Sequence, residues 1–572
     1  MRLTLVGFGF ASALTALAVA CGSNGDDDSG TGGGAGTNAN AGTAGQAMGG
    51  SAGTTTDNAG TAGQATGEAG APPFEHPDPP SEYVPQDGKC GFDKPAFCET
   101  FETGPHDGGR SGELDAKSWS VVRGMPYNSS SFDDAFRLGP ALIGACRKGL
   151  ENTTVLPDSD VLVCDPTATV PTRHALATAA AQNYGLSTYR IRQPFDFEGR
   201  TGTIKLDIDL TNNGLGGWPA LVIAEDPSAA PSFDWQERGS GPRNGVEIEF
   251  GTGWCNTPQT LEVILYAFRD YLQTAYVPSF DCDIPHATTA PGSLNHVEIY
   301  LTQKHLEVWT TDVSSDGVNF PNFHLLWEGD LDLPFSRGYV SLALRNHATI
   351  KYWLGSAATL RFDNVGFDGP VVKSYREYSA PDSLTSYTGL PGCSMGAAEC
   401  QWEGDVIAKN PTDDDRKACA DTACTFMGEG RNVGYVVPRE DETEQAPAAL
   451  DFTSVDPSGF SRARLVMGVI YPWFDWNGVS HPPTYITLRY RVNGGDWHDR
   501  NVSEVEANAF TDFSPDLGGA GASSGLLNQA IDLDPSELVA GDNRIELLSA
   551  NTWTGTYRVM VTGADLVFDQ PN

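Results

Sequence analysis

Between residues 95 and 370, apolar and polar side chains alternate with a period of two. Thr203-Ile204-Lys205-Leu206-Asp207-Ile208-Asp209-Leu210 is the plainest case, and the same alternation runs through residues 245–250, 261–268 and 296–301. A period of two sends successive side chains to opposite faces, so each run predicts a half-buried strand. Residues 306–309 follow through a short turn at Gln303-Lys304, and residues 338–344 and 359–367 add two more strands. Long helical periodicity is missing, and the spacing predicts only a turn or two of helix near residues 173–182. Many strands broken by Gly, Asn and Pro predict two sheets packed face to face, a sandwich or jelly roll.

From about Val371 a second unit begins. Its entry, residues 373–430, reads as loop-rich and cysteine-bearing. Residues 463–470 form a nearly continuous apolar run, which predicts a largely buried strand. Residues 485–492 alternate and end in the turn signal Asn493-Gly494. With residues 531–533, 544–547 and 557–568, they predict a second sandwich. Trp473, Phe474, Trp476, Trp497 and Trp553 lie in or near its loops. End-closing packing explains them better than ligand binding.

The first 80 residues follow another rule. Met1-Arg2 is a short cationic start, an apolar run reaches Ala20, and Ala18-Val19-Ala20 places small residues next to Cys21. This start resembles a bacterial lipoprotein signal, which implies a signal peptide over residues 1–20 and a lipid-modified Cys21. The membrane is then reached through the lipid anchor only. Gly22 follows Cys21 where an aspartate would mark inner-membrane retention, so the outer membrane or cell surface is expected. Residues 21–80 make a disordered Gly/Ala/Thr-rich and then Pro-rich linker, with too few apolar side chains to offset the entropy of ordering. Residues 81–370 and 371–572 are the two expected domains.

Charge and cysteine content narrow the partners. With 36 basic and 74 acidic residues, the formal charge is 36 − 74 = −38. No basic stripe interrupts that excess, so nucleic acid is not an expected partner. Setting Cys21 aside leaves an even set in an exported chain, so disulfides are expected. Spacing groups Cys90 with Cys98, Cys146 with Cys164, Cys255 with Cys282, and Cys393, Cys400, Cys419 and Cys424 together. The last four lack the tight C-x2-C spacing of zinc modules. His174 is scattered, and His296, His305 and His347 sit in or beside strand patterns, where packed or surface histidine is the default.

Short segments then carry a resemblance. Phe97-Cys98-Glu99-Thr100-Phe101-Glu102, Leu114 to Trp119, and the closing Leu360-Arg361-Phe362-Asp363-Asn364-Val365-Gly366-Phe367 resemble concanavalin A-like lectin/glucanase domains. Leu538-Val539-Ala540-Gly541-Asp542-Asn543-Arg544-Ile545 resembles a segment of galactose-binding-like jelly rolls, with the turn at Gly541-Asp542-Asn543. The fold class is therefore all-β: a concanavalin A-like jelly roll and then a second β-sandwich.

The first resemblance includes laminarinase-type glycoside hydrolases, with a Glu-x-Asp-x-Glu or Glu-x-Asp-x-x-Glu catalytic strand. On Gly245-Val246-Glu247-Ile248-Glu249-Phe250-Gly251-Thr252, Glu247 takes the nucleophile position and Glu249 replaces the helper aspartate. Gly251 or Thr252 takes the acid/base position, and neither can deliver a proton. Retaining hydrolysis needs two carboxyls about 5–5.5 Å apart. The backbones of Glu247 and Glu249 lie about 6.8 Å apart on a strand. Glu262 or Asp270 is an alternative source of the second carboxyl. Domains of this kind often hold a structural calcium, which here implies Asp363 with oxygens from residues 99–102.

Sugars stack their C–H faces on aromatics and hydrogen-bond to carboxylates. Trp235, Glu247, Glu249, Trp254, Tyr266, Phe268 and Asp270 are thus the expected binding set on an open sheet face, with Trp218 on a rim loop. No nucleophile elbow, metal-binding histidine pair, phosphate loop or dinucleotide fingerprint occurs. The expected function is non-catalytic binding of an extracellular or cell-surface polysaccharide. A laminarinase-type hydrolase with a degenerate motif and a structural or adhesive surface protein are the alternatives.

Overall fold

The structure is a computed structural model that describes residues 89–101, 114–124, 142–145, 175–179, 186–209, 217–227, 242–252, 261–279, 295–311, 323–346, 358–381, 434–441, 446–472, 486–503, 506, 511–512, 524–551 and 559–570. The expected leader, Cys21 and the linker lie outside these residues. So do Cys146, Cys164, Cys255, Cys282, Cys393, Cys400, Cys419 and Cys424.

The first sandwich is built from β1 (Phe97–Glu99), β2 (Trp119–Gly124), β3 (Leu142–Ala145), β4 (Ala175–Ala179), β5 (Leu186–Ile191), β6 (Phe195–Asp196), β7 (Gly202–Asp209) and β8 (Gly217–Ala224). It continues through β9 (Gly245–Thr252), β10 (Leu261–Arg269), β11 (Leu272–Ser279), β12 (Asn295–Leu301), β13 (His305–Thr311), β14 (Phe323–Asp330), β15 (Arg337–Asn346) and β16 (Ala358–Phe367). One sheet runs β14-β13-β12-β7-β16-β4-β3, with β1 also on β16; the other runs β11-β10-β9-β8-β15-β5-β2, with β6 also on β15. All these pairings are antiparallel, as a jelly roll requires.

The period-two runs supply the core between these sheets. Ile204, Leu206 and Ile208 of β7, and Val297, Ile299 and Leu301 of β12, face Val246, Ile248 and Phe250 of β9 within one buried cluster. Trp119 sits in that cluster with no exposure. Its ring contacts Phe97 at 5.8 Å, Phe101 at 6.1 Å and Phe362 at 5.9 Å between centroids. The opening and closing segments therefore meet around one indole. Beside them the expected Cys90–Cys98 disulfide is formed.

Three expectations change. The helical turn near residues 173–182 is instead strand β4, paired with β16. Sheet pairing overrides the helix propensity of its alanines. Trp218 belongs to β8 opposite Arg345, not to a rim loop. The entry to the second unit, read as loop-rich, opens with a strand, β17 (Tyr375–Ser379), which follows β16 closely and pairs with the strand Val559–Asp569.

The second sandwich adds β18 (Gly434–Val437), β19 (Ala448–Val455), β20 (Arg462–Pro472), β21 (Ile486–Val492), β22 (His498–Asn501), β23 (Thr511–Asp512), β24 (Ser524–Leu533), β25 (Gly541–Asn551) and β26 (Val559–Asp569). Its sheets run β17-β26-β20-β24-β23, with β18 also on β26, and β19-β25-β21-β22. Asn493 and Gly494, with φ of 51° and 74°, supply the left-handed turn after β21. Gly541 has φ +106°, and Asn543 pins the adjoining loop by bonding both the N–H and the carbonyl of Val539. Trp497 is half-buried under the guanidinium of Arg491, 4.7 Å from its ring centre.

Candidate functional site

Strand β9 lies between β8 and β10, and its alternation decides which side chains leave the core. Val246, Ile248 and Phe250 turn inward, so Glu247 and Glu249 share the opposite face. Glu247 is in register with Val222 and Tyr266, and Glu249 with Ala220 and Ile264. Tyr266 and Phe268 stack with centroids 6.3 Å apart. The sequence thus brings two carboxylates and two aromatics together, as expected.

The face is not open. Glu247 is 0% exposed, Glu249 1%, and Tyr266 and Phe268 1% each. Ala220, Val222 and Ala224 flank the acids on one side and Ile264 on the other, all buried. Gly251, at the expected acid position, pairs in register with Glu262 of β10.

Asp270 occupies a different setting, the tight turn between β10 and β11. Its side chain is 71% exposed, and Arg243 Nε approaches it at 3.7 Å. Its backbone N–H donates to Asn244 Oδ1 at 2.9 Å. Asp270 and Tyr271 both adopt left-handed backbones, with φ of 49° and 65°. Such angles cost a non-glycine residue free energy and persist only where surroundings impose them. Burial first, then the charges of Glu506 and Asp226, push the Tyr271 phenol well above its ordinary pKa. Trp235 and Trp254 lie outside the described residues.

The β2–β5–β15 part of the same sheet meets the second sandwich. Arg190 forms a two-pronged pair with Glu377, at 2.7 and 3.0 Å, and Arg192 also reaches Glu377. Arg192 donates to Ser379 Oγ, and Ser379 donates to Asp565, each at 2.6 Å. Arg464 bonds Asp226 at 2.6 Å and also reaches Asp569, to which Tyr339 donates at 3.2 Å. Arg190, Glu377 and Asp565 side chains are only 2–4% exposed. These are planar guanidinium–carboxylate contacts of the kind that fix orientation as well as attract.

The other sheet gathers polar residues around His296, which its strand pattern marked only as a packed or surface histidine. On its outward face His296 bonds Asp207 through Nδ1 at 2.6 Å and Glu298 through Nε2 at 3.0 Å. Lys205 lies 2.8 Å from Glu298, and Tyr300 donates to the same carboxylate. Burial alone would lower the His296 pKa, but hydrogen bonds to Asp207 and Glu298 and their charges raise it above the ordinary value. Burial would raise Glu298, but bonding to His296 and the charges of His296 and Lys205 bring it down to about 2. Outward alternation was the only available signal for this cluster, and it equally describes solvated strands.

Asp363, the expected calcium ligand, is 1% exposed, and its Oδ1 accepts the Asn364 N–H at 2.7 Å. The pairing of Glu99 with Val365 brings both expected ligand segments side by side. Glu99 Oε1 meanwhile accepts the Phe101 N–H at 3.0 Å.

No protein-family model matches the chain, and no curated protein sequence matches it. Solved structures of low identity do. A glycoside hydrolase family 16 endo-glucanase from Bacteroides ovatus is 13% identical with a TM-score of 0.27, over 47% of this chain and 99% of that one. The legume lectin-like domain from Entamoeba histolytica is 14% identical with a TM-score of 0.25, over 35% of this chain and 86% of that one. The exoplasmic/lumenal domain of VIP36, in a Ca2+-bound form, is 11% identical with a TM-score of 0.23, over 35% and 82%. The fold assignment rests on the strand order, not on these scores.

Proposed function

We propose that this chain is a surface-anchored lipoprotein that recognises a carbohydrate polymer at the jelly roll without cleaving it. One observation carries the reading. The strand that would hold the catalytic carboxyls has Glu247 and Glu249 buried and Gly251 where a proton donor is needed. The general acid of a retaining mechanism must reach a leaving-group oxygen, and neither buried carboxylate is placed to do so. Polymer contact then falls to the rim of this face, where Asp270 is exposed. Cys21 carries the lipid, and Asp363 with residues 99–102 takes a structural calcium whose role is to fix β1 on β16.

The test is affinity electrophoresis of the exported chain through gels containing β-glucans, galactans or mannans. Retardation by at least one polymer, with no reducing ends released, is the expected result. Metabolic labelling with a palmitate analogue tests the anchor, with Cys21→Ser as control.

A second reading is favoured by the pairing of Glu262 with Gly251. In it, Glu262 supplies from the neighbouring strand the acid that β9 lacks. Release of reducing ends, abolished by both Glu247→Gln and Glu262→Gln, would replace the binding reading with this one.

A further inference from the structure

We infer that the outward face of the β13–β14 pair is a binding site for a transition-metal dication of the zinc class. His305 and Glu307 are two apart on β13, and Glu328 of β14 is directly opposite Glu307. Alternation therefore aims all three at one face while Leu306 and Val308 enter the core. Each offers a ligand atom within 4.8 Å of the others.

The distance between the two β13 ligands suits a shared metal. His305 Nε2 and Glu307 Oε1 stand 3.4 Å apart. Two ligands of a tetrahedral ion at bond lengths of about 2.0–2.1 Å are separated by roughly 3.4 Å. The imidazole is also turned correctly. Its Nδ1 faces Asp330 Oδ1 at 3.5 Å, which leaves Nε2 towards Glu307. That carboxylate–histidine arrangement orients metal-ligating imidazoles. On the other side Trp309 Nε1–H donates to Glu307 Oε2 at 2.8 Å, holding one oxygen and leaving Oε1 towards the histidine.

Two further features point to a cation. Like charges directly opposite on neighbouring strands are destabilising, and Glu307 and Glu328 are such a pair. Glu307 is 4% exposed and Glu328 is exposed, and a dication between the carboxylates relieves their repulsion. The imidazole selects the metal. Calcium and magnesium take oxygen ligands, whereas nitrogen with carboxylate suits zinc and its first-row neighbours. His305 itself is fixed by the preceding turn, where Thr302 Oγ1 accepts the His305 N–H at 2.9 Å. Three protein ligands leave a fourth position for water or a partner's side chain. This site is separate from the Asp363 segment and from Glu247 and Glu249.

The test is titration of chelator-treated full-length protein with Co2+, read by visible absorption, and with Zn2+, read by calorimetry. One equivalent of each should bind, with the intense d–d bands of a four-coordinate cobalt site. His305→Ala and the exposed Glu328→Gln should abolish the bands with unchanged circular dichroism. Trp309→Phe, which loses the N–H to Glu307, should weaken binding by about 10- to 100-fold. Wild-type protein that binds neither ion, or binding unchanged in both His305→Ala and Glu328→Gln, would overturn the assignment. So would a calorimetric response to Ca2+ alone.

Discussion

Arg464 of the second sandwich bonds Asp226 of the first, Nη1 to Oδ1 at 2.6 Å, and is itself 1% exposed. It belongs to a contact in which charged side chains replace the usual apolar seam. Removing one partner of a buried pair leaves the other charge desolvated and alone, which typically costs about 3–5 kcal/mol. Glu377→Ala leaves Arg190 and Arg192 only the longer carboxylate contacts to Asp565, at 3.5 and 3.7 Å, so a loss towards the lower end of that range is expected in urea denaturation. Raising salt to about 1 M should change the wild-type midpoint little, because buried pairs are weakly screened.

The His296 network sets a pH window. The His296 pKa is raised by its carboxylate partners, so its contribution is complete below the ordinary histidine value and is lost as pH rises through the raised one. Glu298 is depressed to about 2, so its contribution is complete above the ordinary glutamate value and is lost as pH falls towards 2. Together they give full support between roughly pH 4.5 and 6.5. Thermal unfolding across pH 2–9 should show both flanks in wild type, and His296→Asn should flatten them.

Asp270 joins a left-handed backbone to the proposed binding rim. Its left-handed backbone favours glycine, so Asp270→Gly should stabilise the fold by up to about 1 kcal/mol. The same change removes the exposed carboxylate assigned to the polymer rim. Melting temperature should rise while retardation in polymer gels falls. A fall in both would separate Asp270 from the binding rim.

Trp119 is the largest wholly buried side chain of the first sandwich, ringed by Phe97, Phe101 and Phe362. Trp119→Ala should cost about 3–5 kcal/mol. The second sandwich has its own core, so a two-step denaturation curve with only the first step shifted is the expected readout.

Much of the architecture was legible in the residues. Ile204, Leu206 and Ile208 against Lys205, Asp207 and Asp209 announced β7, and the same logic found β9, β10 and β12. β8 escaped because Pro219 and the unbroken Ala220-Leu221-Val222-Ile223-Ala224 hide any alternation in a strand buried on both faces. The candidate site was legible only in part. Alternation correctly put Glu247 beside Glu249, but it is silent on what covers a sheet face. His305, Glu307 and Glu328 could not be grouped either, since only the β13–β14 register joins Glu328 to the other two. Arg190 and Glu377 likewise meet across two domains, beyond the reach of any local pattern.

Both sandwiches are shut by their final strands: Phe97 of β1 pairs with Phe367 of β16, and Tyr375 of β17 pairs with Asp569 of β26. A ribosome releases the chain in the opposite sense, so early strands wait longest for their partners. β17 and β20 both border β26, and neither has that neighbour until Val559–Asp569 emerges. Meanwhile the chain carries unpaired strand edges, which invite association with other chains. Loss of residues 561–572 would leave that vulnerability permanent, because β26 would keep only its first two residues.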